Sequence, residues 1–254
     1  MGEMKDYLII GGGIAGLYCA YKLSERVPGT AIAVIESDTE LGGRIRTQMI
    51  PGFTVEKGAA RFSGNHSRML GLIREMGLDS YKTKLPTSRD FVYRGSIDAF
   101  DLKKALRDFY AKAQKVGRVE RRKITLYQLA VKLYDDAYAQ KLQASFGYDA
   151  EWTTLNADAG LRMFSRDFFQ VSQEEDYYVL SCGLTTLVER IGDTLRKRGV
   201  TFHMGTPVTD IRVGKVITVT AGSKEYQGKH LICALPKGPS RSYRSFHRYP
   251  RSRM

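Results

Sequence analysis

The 254-residue chain has little cysteine, little histidine and no long apolar run. Its three cysteines, Cys19, Cys182 and Cys233, stand far apart, and no Cys-x-x-Cys pair occurs. A disulfide-stapled miniprotein is excluded, since a chain of this length buries roughly 70–75% of its unfolded surface without staples. The four histidines, His66, His203, His230 and His247, lack ligand spacing, so no metal site is expected. Each cysteine sits beside apolar residues and reads as a buried, free thiol in a reducing compartment. The apolar run Tyr7–Ile10 stops at glycines, too short for a signal peptide or a transmembrane segment. A cytoplasmic location is the expectation.

Charge is plentiful but uneven. Forty Lys and Arg against 27 Asp and Glu give +13. Residues 103–123 hold nine bases and two acids, and residues 238–254 five arginines and no acid, so these two segments carry +12 of it. The rest of the chain is nearly neutral. A charge run on a helix is usually a solvated face, and no aromatic–basic RNA motif or zinc module accompanies it, so a nucleic-acid partner is not expected. With 43% apolar residues, the chain is not disordered.

The first fifty residues read as a βαβ unit. Tyr7-Leu-Ile-Ile10 is a short buried strand, Ile14, Leu17, Tyr18 and Tyr21 recur at helical spacing, and Ala31-Ile-Ala-Val-Ile35 is a second strand. A strand over 48–55 follows. Helices are predicted over 69–76, from 102 onward with the basic run outside, over 126–137, and over 184–197 with Gly199 just past its end. Short strands are predicted over 200–203, 208–213, 216–220 and 230–233. Residues 238–254 contain no Leu, Ile or Val and read as a basic disordered tail.

Gly11-x-Gly13-x-x-Gly16 lies between the first strand and the first helix, and Glu36 ends the next strand twenty residues after Gly16. That is the context a dinucleotide fingerprint needs. Gly11 permits the tight turn, Gly13 lets backbone approach a pyrophosphate, and Gly16 lets helix and strand pack closely. Ile14 and Ala15 begin the helix whose free N–H groups face the phosphates. Glu36, followed by Ser37, would accept hydrogen bonds from the adenosine ribose. FAD and NAD share this unit.

The next segment resembles the second flavin-contact segment of the FAD-dependent amine oxidase superfamily, which includes monoamine, polyamine and L-amino-acid oxidases and protoporphyrinogen oxidase. The family pattern Gly-Gly-Arg-x-x-Thr is matched by Gly42, Gly43, Arg44 and Thr47, with acids Asp38 and Glu40 where the family usually has bases. Gly52–Phe62, Tyr178–Ile191, Thr206–Ile211 and His230–Pro236 resemble further family segments in the same order. Gly58-Ala59-Ala60-Arg61-Phe62 with Asn65-His66 also resembles amine-oxidase-like proteins of large DNA viruses.

The resemblance implies an α/β fold, a Rossmann-like FAD-binding domain with an inserted, mostly helical substrate domain. It divides the chain into 1–64 (FAD-binding), 65–180 (insert), 181–237 (return to the FAD-binding domain) and the tail 238–254. The family's last strands, its N5-side lysine and its C-terminal flavin contacts have no counterpart, so the chain reads as truncated there. The implied cofactor is FAD. Its contacts are assigned to Gly11, Gly13, Ile14, Ala15, Gly16, Glu36, Ser37, Gly42, Gly43, Arg44, Gly58, Ala59, Ala60, Arg61 and Val208. Arg61 has two readings, a substrate carboxylate partner as in L-amino-acid oxidases, or a contact to the flavin pyrophosphate or a local carboxylate. The implied activity is oxidation of a C–N bond of a small-molecule amine or amino acid to an imine, with O2 as acceptor. No catalytic acid or base is assigned. The alternatives are a non-catalytic nucleotide-binding remnant and a basic nucleic-acid-binding protein.

Overall fold

The computed structural model describes residues 3–85, 91–93, 96–98, 100–146, 149–170 and 176–236. Lys237 and the predicted tail 238–254 lie outside the described residues. By its contacts the chain divides into two units, residues 1–84 with 177–254, and residues 85–176.

The first unit opens with β1 (Lys5–Ile10), α1 (Ile14–Arg26) and β2 (Ile32–Ile35), as the apolar runs flanking the glycines predict. Where the sequence predicts one strand over 48–55, a hairpin forms from β3 (Thr47–Ile50) and β4 (Phe53–Glu56). Pro51-Gly52 turns the chain, with Gly52 at φ +79°, the left-handed value that the third residue of a type II turn needs. β5 (Phe62–Ser63), α2 (Ser67–Glu75) and β6 (Lys82–Lys84) follow. The sequence reading places residues 65–84 in the helical insert. Leu72, Ile73, Met76 and Leu78 instead join the first unit's core with Ile9, Leu17 and Val34.

The second unit contains the hairpin β7 (Phe91–Tyr93) and β8 (Ser96–Asp98), then α3 (Leu102–Gln114), α4 (Arg118–Arg121), α5 (Leu126–Leu133), α6 (Asp136–Phe146), α7 (Asp149–Thr154) and α8 (Ala157–Gln170). Leu106, Phe109, Leu126, Leu129, Leu142 and Trp152 form its core, with the Phe109 and Trp152 rings stacked at 5.5 Å. Lys104, Arg107, Lys112 and Lys115 lie on the exposed side of α3. The helix predicted over 126–137 breaks, because Tyr134 leaves helical geometry (φ −133°, ψ −106°) and Asp135 Oδ1 accepts the Tyr138 N–H at 2.7 Å. An aspartate followed by a fresh apolar period is an N-cap signal. Buried Asp158 gathers Arg118, Arg121, Arg122 and Arg162 from α4, its end and α8. Burial pushes its carboxyl up, but the arginines, Arg118 foremost, outweigh that and hold it below the ordinary carboxylate range.

The chain re-enters the first unit through β9 (Tyr177–Leu180), which pairs between β5 and β6, and continues with α9 (Leu184–Lys197), β10 (Thr201–His203), β11 (Val208–Val213), β12 (Ile217–Ala221) and β13 (Lys224–Cys233). Among the described residues the main sheet runs β10-β2-β1-β13-β12-β11. Its β10, β2, β1 and β13 are parallel, while β11, β12 and β13 form an antiparallel meander. Alternate residues face opposite ways. Ile9, Ile32 and Val34 pack with Leu17, Leu187 and Ile191 of α1 and α9, whereas Leu8, Ile10, Ala33 and Ile35 pack with Ile211 and Val219. Burial on both faces explains why these strands are continuously apolar. The α/β class with a parallel sheet and an FAD-domain-like βαβ start is as the sequence implies. β13 is longer than the predicted 230–233 because its polar first half pairs with β12 rather than packing in a core.

All three cysteines are free. Cys19 and Cys182 are half-buried, but Cys233 is exposed rather than buried, since it is the last residue of β13. No helix of the described residues is long and apolar enough to cross a membrane.

Asp6 ties the start of β1 to the residues just before β2 and to the middle of β13. Its carboxylate accepts from Lys229 Nζ (2.7 Å), the Ala31 N–H (2.9 Å) and the Thr30 hydroxyl (3.3 Å). These donors, Lys229 first, lower its pKa from 3.8 to about 2. The folded value lies below the unfolded one, so the stabilisation is complete above the unfolded pKa of about 4 and fades as pH falls toward about 2. The melting-temperature deficit of Asp6→Asn relative to the parent is therefore expected to shrink across that window. A deficit constant down to the acid end would contradict the assignment.

Candidate functional site

The fingerprint glycines differ in what they do. Gly11 takes φ +103°, and a Cβ there would lie 2.8 Å from the Ala234 carbonyl oxygen. A Cβ on Gly16 would lie 1.9 Å from the Gly11 carbonyl oxygen, so this glycine lets α1 sit against the end of β1. Gly13 has no such protein neighbour. Its backbone is extended (φ −71°, ψ 174°), and its nearest atom for a Cβ is the Gly42 oxygen at 3.9 Å. Gly13 is the N-cap of α1, no side chain caps that end, and the first turn holds no acid. The space a methyl would fill thus opens before the N–H groups of Ile14, Ala15 and Gly16. A pyrophosphate fits that space, because helix N-terminal N–H groups and the helix dipole both favour an anion.

Glu36 ends β2 and is buried, 8% exposed. Its Oε2 accepts the Gly12 N–H at 2.5 Å, and its Oε1 accepts the Asp38 N–H at 2.8 Å and the Ser37 hydroxyl at 3.0 Å. Three protein donors leave acceptor capacity for about one ribose hydroxyl. The Gly-Gly-Arg loop lies directly against the fingerprint. Gly42 donates its N–H to the Gly12 oxygen at 2.9 Å and forms a parallel bridge with Gly13. Both loop glycines have left-handed φ (+115° and +59°), and a Cβ on Gly43 would stand 3.3 Å from the Gly13 Cα. Asp38 and Glu40 both pair with Arg46, which offsets half the charge of the acids found where the family has bases. Arg44 is exposed and makes no ion pair among the described residues.

The segment after β4 is stitched to the same loop. The Ala59 N–H donates to the Arg44 carbonyl at 3.0 Å, and a Cβ on Gly58 would lie 1.8 Å from that oxygen. Gly58 is thus glycine because backbone crosses backbone there. Ala59, Ala60 and Arg61 are exposed, and the Arg61 guanidinium lies 4.9 Å from the centre of the Tyr177 ring. Val208 opens β11, and the turn before it is fixed to the Glu36 end: Thr206 donates to the Glu36 carbonyl and Gly205 to that of Asp38, both at 2.8 Å. Gly11–Gly16, Glu36, Ser37, Gly42, Gly43 and Val208 therefore fall along one band at the carboxyl ends of β1, β2 and β10, where open parallel sheets take ligands; Gly58 and Ala59 meet Arg44 of the same loop, and Arg61 lies beside Tyr177 of β9.

The sequence alone does not single out several residues that hold this band together. Leu41 packs on Gly12, and Ala234 packs on Gly11 and Gly16. Glu56 and Thr185 bond the loop to α9 at Thr47. Thr47 belongs to the Gly-Gly-Arg-x-x-Thr pattern, and that was the one available signal. Among the described residues no group of three or more His, Cys, Asp or Glu is placed to hold a metal.

A family model described as flavin containing amine oxidoreductase matches residues 14–251. Curated relatives include a coproporphyrinogen III oxidase of Mycobacterium bovis, 34% identical over 90 residues (35% of this chain and 20% of the relative). Flavin-containing amine oxidase A of Sus scrofa is 36% identical over 85 residues (33% and 16%). Among solved structures, putrescine oxidase bound to putrescine aligns with a TM-score of 0.69 at 20% identity, covering 92% of this chain and 58% of that one. Cyclohexylamine oxidase from Brevibacterium oxydans aligns with a TM-score of 0.74 at 18% identity, with the same coverage. At these identities the structural likeness shows the fold. The matched region is a fifth or less of these curated relatives' length and 58% of these solved chains.

Proposed function

The chain belongs to the flavin-containing amine oxidoreductases, and from that premise we propose that it oxidises the C–N bond of a small amine or amino acid to an imine. In this reading the substrate gives up two electrons and two protons, and O2 leaves with them as H2O2. FAD, when bound, supplies the two-electron acceptor. The protein's own residues bind, orient and exclude water. The N–H groups of Ile14, Ala15 and Gly16 would hold the pyrophosphate, with Arg44 adding charge to the same anion. Glu36 would fix the ribose and Val208 the adenine. Arg61 would take a substrate carboxylate as a bidentate partner, its plane supported by Tyr177. A cytoplasmic location agrees with the three free thiols.

The observation that carries the proposal is the uncapped α1 terminus at Gly13, where a Cβ would meet only the Gly42 oxygen and the Gly43 Cα at van der Waals distance (3.9 and 4.0 Å) and an anion fits. Gly13→Ala is expected to melt like the parent without cofactor, because its φ and ψ suit any residue. Its FAD affinity is expected to fall at least about tenfold, read by flavin fluorescence titration. Parental affinity in this variant would put the pyrophosphate elsewhere. For the reaction, protein reconstituted with FAD is mixed anaerobically with a panel of amines and amino acids. Bleaching of the flavin band by one of them supports the proposal, and a bound flavin that none of them bleaches overturns it. A second reading, oxidation of a reduced tetrapyrrole, rests on the coproporphyrinogen III oxidase relatives; bleaching by coproporphyrinogen III alone would select it. Folded protein that takes up no FAD would leave the non-catalytic remnant.

A further inference from the structure

We infer that Glu56 is the positioning residue of the cofactor site, a carboxylate that clamps both glycine-containing loop segments to the start of α9. The inference rests on the family's FAD chemistry for its consequence, though not for its geometry. Glu56 is the last residue of β4. Its Oε1 accepts the Leu184 N–H at 2.7 Å, and its Oε2 accepts the Thr47 hydroxyl at 2.8 Å. Thr47 and Thr185 then bond reciprocally, Thr185 N–H to Thr47 Oγ1 at 3.0 Å and Thr47 N–H to Thr185 Oγ1 at 2.8 Å.

The start of α9 has no local cap. Gly183 is its N-cap, with φ +80° and no side-chain hydrogen bond, and the first turn holds no acid. A Cβ on Gly183 would lie 2.4 Å from Thr47 Cγ2, so glycine is what lets β3 approach this end. The carboxylate from 128 residues away therefore satisfies an N–H group the helix leaves open and meets its positive end.

The clamp matters because little else holds the hairpin. Met49, Ile50, Phe53 and Val55 are 66%, 41%, 69% and 39% exposed, so β3 and β4 gain little from a core. Among the described residues the hairpin reaches the α9 side further through the Thr54 hydroxyl, which donates to the Ser181 carbonyl at 3.2 Å. By contrast α9 is anchored through buried Leu184, Leu187, Val188, Ile191 and Leu195. Arg44 lies three residues before Thr47, and Gly58 two residues after Glu56. Lys57 and Ala59 donate to the carbonyls of Arg46 and Arg44 at 2.7 and 3.0 Å, which makes the two segments one piece. Releasing Glu56 loosens β4 and the segment after it, while Thr47 stays bonded to Thr185, Ile45 stays in the core, and β1, α1 and α9 stay packed.

The test compares Glu56→Ala, Glu56→Gln and Thr47→Val with the parent by amide hydrogen exchange without cofactor and by FAD titration. In Glu56→Ala, exchange over 53–61 is expected to rise at least about tenfold and the FAD dissociation constant about tenfold, with β1 and the later turns of α9 still protected as in the parent. Glu56→Gln keeps an acceptor and is expected to recover part of both effects. Adding Thr47→Val to Glu56→Ala is expected to extend the rise in exchange to 42–50, since Thr47 also accepts the Thr185 N–H. Unchanged exchange over 53–61 in Glu56→Ala, or a uniform loss of protection across the first unit, overturns the inference. If Glu56→Ala does not fold, Glu56→Gln and Thr47→Val decide by the same readouts. A parent that binds no FAD defeats the cofactor reading, while the exchange pattern still reports the clamp.

Discussion

Replacing Gly16 by alanine is expected to destabilise the first unit by about 3–5 kcal/mol and to abolish FAD binding with it. The new Cβ would lie 1.9 Å from the Gly11 carbonyl oxygen, 3.2 Å from its carbon and 3.4 Å from the Ala234 Cβ. Two of these atoms are backbone, and Gly11 is itself fixed by its N–H bond to the Ile35 carbonyl at 2.9 Å. Relief requires α1 to back away from the sheet. That movement separates Leu17, Ala20 and Tyr21 from Ile9 and Val34, the centre of the unit's largest core. A close-packed interior gives little slack for such a shift, and 3–5 kcal/mol is a large share of the about 5–15 kcal/mol that holds a domain together. Urea unfolding followed by far-UV circular dichroism measures it. A midpoint equal to the parent's would mean that α1 and β1 are not packed this closely. The comparison with Gly13→Ala separates two kinds of glycine in one motif, one required by the protein and one by what the protein binds.

Local chemistry was legible in the chain; distant pairing was not. The apolar runs at Tyr7–Ile10 and Ala31–Ile35 predict β1 and β2 because both faces of the sheet are covered, so no polar residue interrupts them. The full length of α9 is readable because its buried face repeats cleanly from Leu184 to Leu195. The β3–β4 hairpin escapes the apolar pattern because its apolar residues are exposed, although Pro51-Gly52 marks its turn. Half of β13 escapes because Lys224–Gln227 is held by ladder bonds to β12, which leave no hydrophobic signature. In the candidate site, the fingerprint could be read from spacing within one βαβ unit. The contacts made by Glu56 and Thr47 span 128 and 138 residues, and nothing local announces them. Arg46 is a local case: six and eight residues from Glu40 and Asp38, it pairs with both and offsets part of the charge by which the loop departs from the family.

Glu36→Ala is expected to lower stability by about 1–3 kcal/mol before any cofactor is added, and FAD affinity by about a hundredfold. The carboxylate serves the protein as well as the ligand. Removing it strands the Gly12 N–H, which is buried beneath Leu41, and the Asp38 N–H at the start of the next turn. The buried Gly12 N–H, once stranded, costs about 1–3 kcal/mol, whereas water can take up the N–H of exposed Asp38. Glutamine is the informative replacement. The two backbone donors meet different oxygens, Gly12 at Oε2 and Asp38 at Oε1, so an amide can accept only one of them and must turn its own N–H2 on the other. Glu36→Gln is therefore expected to behave much like Glu36→Ala in urea unfolding of the cofactor-free protein, despite its near-identical shape. Parental stability in Glu36→Gln would mean that the carboxylate does not bridge the fingerprint and the loop. If so, the loss of FAD affinity would have to come from the ribose contact alone. If stability falls as expected, part of the affinity loss is the cost of a fingerprint no longer held in place, and the ratio of the two effects in the Ala and Gln variants divides the structural share from the contact itself.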